Sequence, residues 1–259
     1  MNKKKGFFLL IFLVLLLFAI NYNLIDNKIE NFLEEHEFGT VERIVDGDTI
    51  IVNSNSTRLL GINTPEKGEK YYQEAKDFLE NMTLNKTIKL EYGKDRYDLY
   101  GRKLAYAFLD EKNINVELVK NGFANIYILD DKLHEGELKK AWDECIEREQ
   151  NLCEKSKEKC AECIELKKLD YENQEVIFYN KCSFDCNLSS WNIKDEGRKK
   201  FIFGNFILKK NKEVKIAVRE GTDEENILFW KGSEYIWTDT GDTLFLRDTE
   251  GRLVLWKNY

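Results

Sequence analysis

Short segments of strand composition run through most of the chain after residue 38, and their setting changes near Cys160. Before that point they alternate with segments of helical spacing. Beyond it, segments such as "EVIFYN" and "DTLFLRD" follow one another with Gly, Asn and Asp turns between them. A mixed first half and a purely β second half in 259 residues predict two domains, with a fold class of mainly β with α.

The first half has the pattern of a small barrel. The segment "TVERIVDGDTIIV" alternates and turns at Asp46-Gly47-Asp48, as a hairpin would. Strand composition returns in "TRLLGI", "TIKLEY" and "RKLAYAFL", and helical spacing marks "EKYYQEAKDFLENM", "NVELVKN" and "HEGELKKAWDECIEREQ". Five short strands with helices between and after them predict a five-stranded barrel of the oligonucleotide-binding (OB) type. The second half predicts a β-sandwich.

The N-terminus has the form of an export signal. "MNKKKG" precedes fourteen apolar residues, Phe7 to Ile20, in "FFLLIFLVLLLFAI". Residues 1–25 are therefore predicted to be a signal peptide or a signal anchor. No small-x-small pair follows the run, and "NYNLI" extends it toward the roughly 20 residues that span a bilayer. We favour an uncleaved anchor with the lysines inside, which places the protein outside the cell, membrane-anchored or secreted.

Six cysteines lie between residues 145 and 186. An even number in an exported chain predicts disulfides, whose connectivity the sequence leaves open. The alternative is a zinc knuckle built from "CAEC" and "CSFDC". A Cys145–Cys153 pair is expected to be out of reach if the helix continues, because eight helical positions span about 12 Å.

The net charge of −7 argues against a protein that coats nucleic acid, although it is compatible with a local basic cleft. His36 and His134 are the only histidines, so a histidine-based site is not expected.

Carboxylates and arginines are better placed for chemistry. Asp48 follows the "DGD" turn, where a hard cation such as calcium collects oxygen ligands. Pro65, the only proline, forces a bend that aims the Thr64 carbonyl at a metal and Glu66 at a water. Arg58 and Arg102 offer guanidinium groups for phosphate oxygens. Together these residues predict a phosphodiesterase site.

"VDGDT", "RLLGINTPE", "EKYYQEA" and "YGRKLAY", in this order, resemble the staphylococcal nuclease (thermonuclease) family over residues 38–153. The resemblance implies that Asp48 and the Thr64 carbonyl bind Ca²⁺ and that Glu66 is the general base. It also implies that Arg58 and Arg102 bind the scissile phosphate.

The chain departs from this family at two positions. Asn63 stands where a second calcium-binding aspartate is usual, so Asn63 is a candidate ligand that lacks the charge. Cys153 stands where a tryptophan is common, and a disulfide is expected to hold the last helix there instead.

Residues 164–259 resemble a lamin tail domain, an immunoglobulin-like sandwich, through "EVIFYN", "LSSWNI" and "WTDTGDTLFLRDTEGRLV". This resemblance implies a fold and binding to a surface, nucleic acid or partner protein, and no chemistry. Four tryptophans of this half are expected in the core: Trp191, Trp230, Trp237 and Trp256.

The sequence thus predicts an exported, calcium-dependent endonuclease acting on DNA, RNA or both. The alternative is a non-catalytic nucleic-acid- or protein-binding surface protein that kept the barrel. The presence of Arg58, Glu66 and Arg102 together favours the enzyme.

Overall fold

The computed structural model describes residue 7, residues 10–14, 16–17 and 21, and then residues 36–128 and 133–259. Much of the predicted signal segment lies outside the described residues. Within the described part of the chain, no helix has the length and apolar character that a membrane crossing needs.

The first domain is a closed five-stranded barrel. Its strands are β1 His36–Asp46, β2 Thr49–Val52, β3 Asn55–Leu59, β5 Thr87–Tyr97 and β6 Lys103–Leu109. The order is β3-β2-β1-β5-β6, and a parallel pairing of β3 with β6 closes the barrel. Short strands lie beside it: β4 Ile62–Asn63, β7 Lys112–Asn113 and β8 Asn125–Ile126. The predicted barrel is confirmed.

Three helices pack on the barrel because their apolar residues recur at helical spacing. They are α1 Tyr72–Thr83, α2 Ile114–Lys120 and α3 Glu135–Arg148. Helix α2 begins where the Asn113 side chain accepts hydrogen bonds from the backbone N–H groups of Asn115 and Val116. Helix α3 buries Leu138, Ala141, Trp142 and Cys145.

The expectation that Cys145 and Cys153 cannot pair is wrong. Helix α3 stops at Arg148, and Glu149 takes a left-handed conformation with φ of 52°. The chain therefore turns back through a short 3-10 helix, Asn151–Cys153, and the two Cα atoms lie 5.8 Å apart. The resulting disulfide holds the end of the last helix, as the second departure from the family suggested.

The remaining cysteines form the disulfides Cys160–Cys186 and Cys163–Cys182. The sulfur atoms of Cys182 and Cys186 are 3.5 Å apart because the two bridges are neighbours. All six cysteines are therefore oxidised. Disulfides are confirmed, and the zinc knuckle is excluded because zinc ligation requires thiolates.

The second domain is a sandwich of two four-stranded sheets, ordered β16-β15-β10-β9 and β13-β12-β17-β18, with a small β11-β14 pair beside them. The strands are β9 Ile164–Asp170, β10 Glu175–Asn180, β11 Cys186–Asn187, β12 Asn192–Lys194, β13 Lys200–Ile202, β14 Ile207–Leu208, β15 Glu213–Ala217, β16 Ile227–Phe229, β17 Thr243–Arg247 and β18 Leu253–Asn258. Trp191, Trp230 and Trp237 are buried and Trp256 is partly buried, as expected.

The two domains meet over an apolar contact. Phe245 and Leu253 of the sandwich belong to the same buried cluster as the barrel core. The buried Arg247 guanidinium donates to the Leu152 carbonyl oxygen at 2.6 Å and to Asn125 Oδ1 at 3.1 Å. Burial lowers the pKa of Arg247 to about 10. Because they share a core, the two predicted domains, residues 38–153 and 164–259, pack against each other and are not joined by an open linker.

Candidate active site

The β1–β2 turn is held tightly against the segment that contains Thr64. A Cβ atom added at Gly47 would lie 2.8 Å from Thr64 Oγ1 and 2.9 Å from the Ala75 Cβ. Only glycine permits this approach without a shift of its neighbours. The turn therefore places Asp48 beside Thr64.

The Asp48 carboxylate is buried, and both of its oxygens accept hydrogen bonds. Its Oδ2 atom accepts hydrogen bonds from the Thr64 backbone N–H at 2.9 Å and from Thr64 Oγ1 at 3.0 Å. The same oxygen forms an ion pair with Arg58 Nη1 at 2.5 Å. Thr49 Oγ1 donates to the other carboxylate oxygen at 3.2 Å. These contacts fix the turn, the strand β3 and the bend at Pro65 relative to one another.

The Arg58 guanidinium links this carboxylate to Asn63. Its Nη2 donates to Asn63 Oδ1 at 2.9 Å and to the Ile62 carbonyl oxygen at 3.0 Å. Arg58 is only 7% exposed. Of the six predicted site residues, Asp48, Arg58, Asn63 and Thr64 thus form one bonded network.

Glu66 follows Pro65 at the edge of this network, and its side chain is 46% exposed. Its Oε1 forms an ion pair with Arg198 Nε of the second domain at 2.7 Å. The Glu66 backbone N–H donates to Glu69 Oε2 at 3.0 Å, which orders the turn before helix α1.

Arg102 directly precedes β6, the strand that closes the barrel. The next residue, Lys103, begins β6 and is paired in the parallel β3–β6 ladder with Thr57, the residue before Arg58. Arg102 Nε contacts Asp98 Oδ2 at 2.6 Å. Burial by itself would raise the pKa of Asp98, but the hydrogen bonds that Asp98 accepts from Arg102 and Tyr100 outweigh burial and lower it. The Arg102 guanidinium is thus paired with Asp98, a carboxylate of the turn between β5 and β6.

The donor set of the β1–β2 turn suits a hard divalent cation. Asp46 and Asp48 place two carboxylates in one turn, and burial together with the nearby Asp48 charge raises the pKa of Asp46. A bound cation would relieve that repulsion. Asn63 is differently engaged, because its oxygen accepts from Arg58 while its Nδ2 donates to the carbonyl oxygens of Glu196 and Gly197. Its role as a ligand stays a prediction.

Sequence reasoning did not find the second domain's share in this site. Arg198 contacts Glu66, and Lys194 and Lys200 contact Glu69. The only signal was the basic stretch "GRKK", which by itself reads as a solvated turn. Nothing in it indicates a partner more than 120 positions away.

Comparison with known proteins agrees with this architecture. The family model described as staphylococcal nuclease homologue matches residues 56–155, and the model described as lamin tail domain matches residues 161–259.

Similar curated proteins include the thermonucleases of Staphylococcus hyicus and Staphylococcus intermedius, which are 39% and 37% identical over 94 residues. Each alignment covers 32% of this chain and 56% of the relative. An uncharacterized endonuclease of Haemophilus influenzae is 38% identical over 34% of this chain and 51% of its own length. The chain spans about half the length of these relatives. It joins a staphylococcal nuclease homologue domain to a lamin tail domain, in that order.

Proposed function

We propose that the chain is an exported, calcium-dependent endonuclease that hydrolyses phosphodiester bonds of DNA, RNA or both. The observation that carries this proposal is the bonded network of Asp48, Arg58 and Thr64 with the carboxylate of Glu66 at its edge. Relatives named thermonuclease and endonuclease support the nuclease class.

Each residue has a defined task in this proposal. Glu66 takes a proton from the attacking water as the water oxygen bonds to phosphorus and the bond to the leaving oxygen breaks. Arg58 and Arg102 bind the phosphate and balance the charge that develops on its oxygens. Asp48, Asp46 and the Thr64 carbonyl would hold Ca²⁺, with Asn63 as a neutral ligand. The ion would supply Lewis-acid polarisation of a phosphate oxygen.

Export is supported by the three disulfides, which are typical of oxidising compartments. The proposal places the chain outside the cell, secreted or held by an N-terminal anchor. The lamin tail domain would bind a surface or a partner protein there.

The test is cleavage of plasmid and single-stranded DNA, and of RNA, by wild-type protein and Glu66→Gln, with calcium and with chelator. Glu66→Gln should slow single-turnover cleavage by about 10² to 10⁴ without weakening substrate binding, because general base catalysis contributes about that factor. Glu74→Gln, an exposed carboxylate in helix α1, is the matched control.

Wild-type turnover in Glu66→Gln would remove this residue from the mechanism. Binding of nucleic acid without metal-dependent cleavage by the wild-type protein would instead favour the non-catalytic binding protein.

A further inference from the structure

A turn of the lamin tail domain lies directly on the candidate active site. We call residues 195–199, which join β12 to β13, the capping turn. Asn63 Nδ2 donates to the carbonyl oxygen of Gly197 at 2.7 Å and to that of Glu196 at 3.2 Å. A predicted site residue is thus bonded to the backbone of the second domain.

The capping turn also occupies the candidate general base. Arg198 Nε lies 2.7 Å from Glu66 Oε1, and the two side chains are 57% and 46% exposed. While this pair is formed, Glu66 Oε1 faces Arg198 and is not available to an attacking water.

Two lysines fasten the strands on either side of the turn. Lys194 Nζ donates to Glu69 Oε2 at 3.2 Å, and Lys200 Nζ bonds to Glu69 Oε1. Glu69 lies three residues after Glu66, so the whole contact spans the segment between Asn63 and helix α1.

Two of the site residues are buried beside this contact. Asp48 is 3% exposed and Arg58 is 7% exposed, and both Nη atoms of Arg58 donate to protein acceptors. A phosphodiester that is to approach Glu66 Oε1 must displace Arg198 of the capping turn, which is also bonded to Asn63.

We propose that the capping turn is an autoinhibitory element, and that cleavage requires its displacement from Asn63 and Glu66. This inference rests on the proposed nuclease function and adds the regulation of that same site. The proposal also explains why residue 63 is an asparagine rather than an aspartate. Its amide supplies N–H donors to two carbonyl oxygens, whereas an aspartate would present only acceptors to them.

Displacement is expected to be local to the turn. The apolar contact of Trp142 with Phe245 joins the domains elsewhere, and it need not break. The contacts of the capping turn are polar, and the ion pair of Arg198 with Glu66 is half-exposed and so contributes little to stability. A polyanionic substrate can compete for Arg198.

The test compares full-length wild-type protein with Arg198→Ala. Arg219→Ala is the matched control, because Arg219 is an exposed arginine of the same domain that pairs with Glu175 instead. We expect Arg198→Ala to raise the initial cleavage rate about two- to fivefold, the range that loss of one exposed ion pair allows. Arg219→Ala should match wild type.

A second readout separates inhibition from substrate contact. Binding of a fluorescent single-stranded oligonucleotide is measured with chelator present, so that no cleavage occurs. We expect Arg198→Ala to bind about two- to fivefold more tightly than wild type. The double variant Glu69→Gln/Arg198→Ala should bind more tightly still, since it also weakens the contact of Lys194 and Lys200.

Weaker oligonucleotide binding and slower cleavage by Arg198→Ala would make Arg198 a phosphate ligand and overturn the proposal. Wild-type behaviour of both Arg198→Ala and the double variant would overturn it too. If both variants behave like wild type while Glu66→Gln strongly slows cleavage, the nuclease function is supported and autoinhibition is rejected. If neither wild type nor any variant cleaves, yet Arg198→Ala binds the oligonucleotide more tightly, the capping turn still blocks the binding site and the nuclease function is rejected.

Discussion

The indole of Trp142 packs edge-on against the ring of Phe245, with ring centroids 5.5 Å apart. Trp142 lies on helix α3 of the nuclease homologue domain and Phe245 on β17 of the lamin tail domain. Both side chains are fully buried. The contact places part of the nuclease core under a residue of the second domain, so the stabilities of the two domains are coupled.

Phe245→Ala should therefore destabilise both domains. Loss of a buried phenylalanine costs about 3–5 kcal/mol, because the cavity left behind is only partly refilled. Urea unfolding followed by tryptophan fluorescence measures the loss. Phe178→Ala, in the interior of the sandwich, is the control. If hydrogen exchange in helix α3 rises with Phe178→Ala as much as with Phe245→Ala, the coupling does not pass through Trp142.

The two arginines of the site should respond differently to replacement by lysine. An ammonium cannot reproduce the two-point contact of a guanidinium with phosphate, so Arg58→Lys and Arg102→Lys should each slow cleavage by about 10². Arg58 is buried with several acceptors, and Arg58→Lys should also lower the melting temperature. Arg102 has a 26% exposed side chain, and its variant should melt like wild type.

Single-turnover rates and thermal melts measure both effects, with the exposed Arg148→Lys as control. Cleavage at the wild-type rate by both lysine variants would show that neither arginine binds the phosphate.

Asn63→Asp should lower the calcium concentration that gives half-maximal cleavage, since calcium affinity rises with the number of carboxylate ligands. It should also loosen the capping turn, because aspartate has no N–H donor for Gly197. Titration with calcium, magnesium and manganese, with Arg198→Ala alongside, separates the two effects. Arg198→Ala should raise the rate without moving the metal midpoint. An unchanged midpoint in Asn63→Asp would show that residue 63 is not a ligand.

Stability should fall as pH rises from about 5 to about 8, the pKa of the buried Glu196. Burial, with the charge of Asp242, raises the pKa of Asp195 to about 7, and burial raises that of Asp242 to about 6. Glu196 shares this environment, and the charges of Lys194 and Lys199 counteract the shift at Asp195. Between the unfolded and folded pKa values the folded protein holds more protons, so each extra proton lowers stability by about 1.4 kcal/mol per pH unit of increase.

Asp195→Asn keeps the acceptor for the Lys199 backbone N–H and removes the titration. Urea unfolding at pH 5, 6, 7 and 8 should show a shallower decline for this variant than for wild type or for Asp239→Asn, an exposed control. A slope equal to that of wild type would show that Asp195 titrates normally.

The sequence by itself determined the order of domains, the barrel and the segments that carry the site. Strand alternation, the "DGD" turn and the bend at Pro65 depend on residues close in the chain, so local sequence encodes them. The network of Asp48, Arg58, Asn63 and Thr64 spans only sixteen positions, since the separation of Asp48 and Thr64 is the largest in it.

Only the tertiary structure decided the pairing of Cys145 with Cys153 and the contact of the capping turn with the site. The first depends on two left-handed residues, Glu149 and Asn151, whose conformations reverse the chain and which no helical pattern predicts. The second joins Asn63 to Gly197 across 134 positions. Such a contact follows from how two separate domains pack through Trp142 and Phe245, and a local pattern of residues contains no information about that packing.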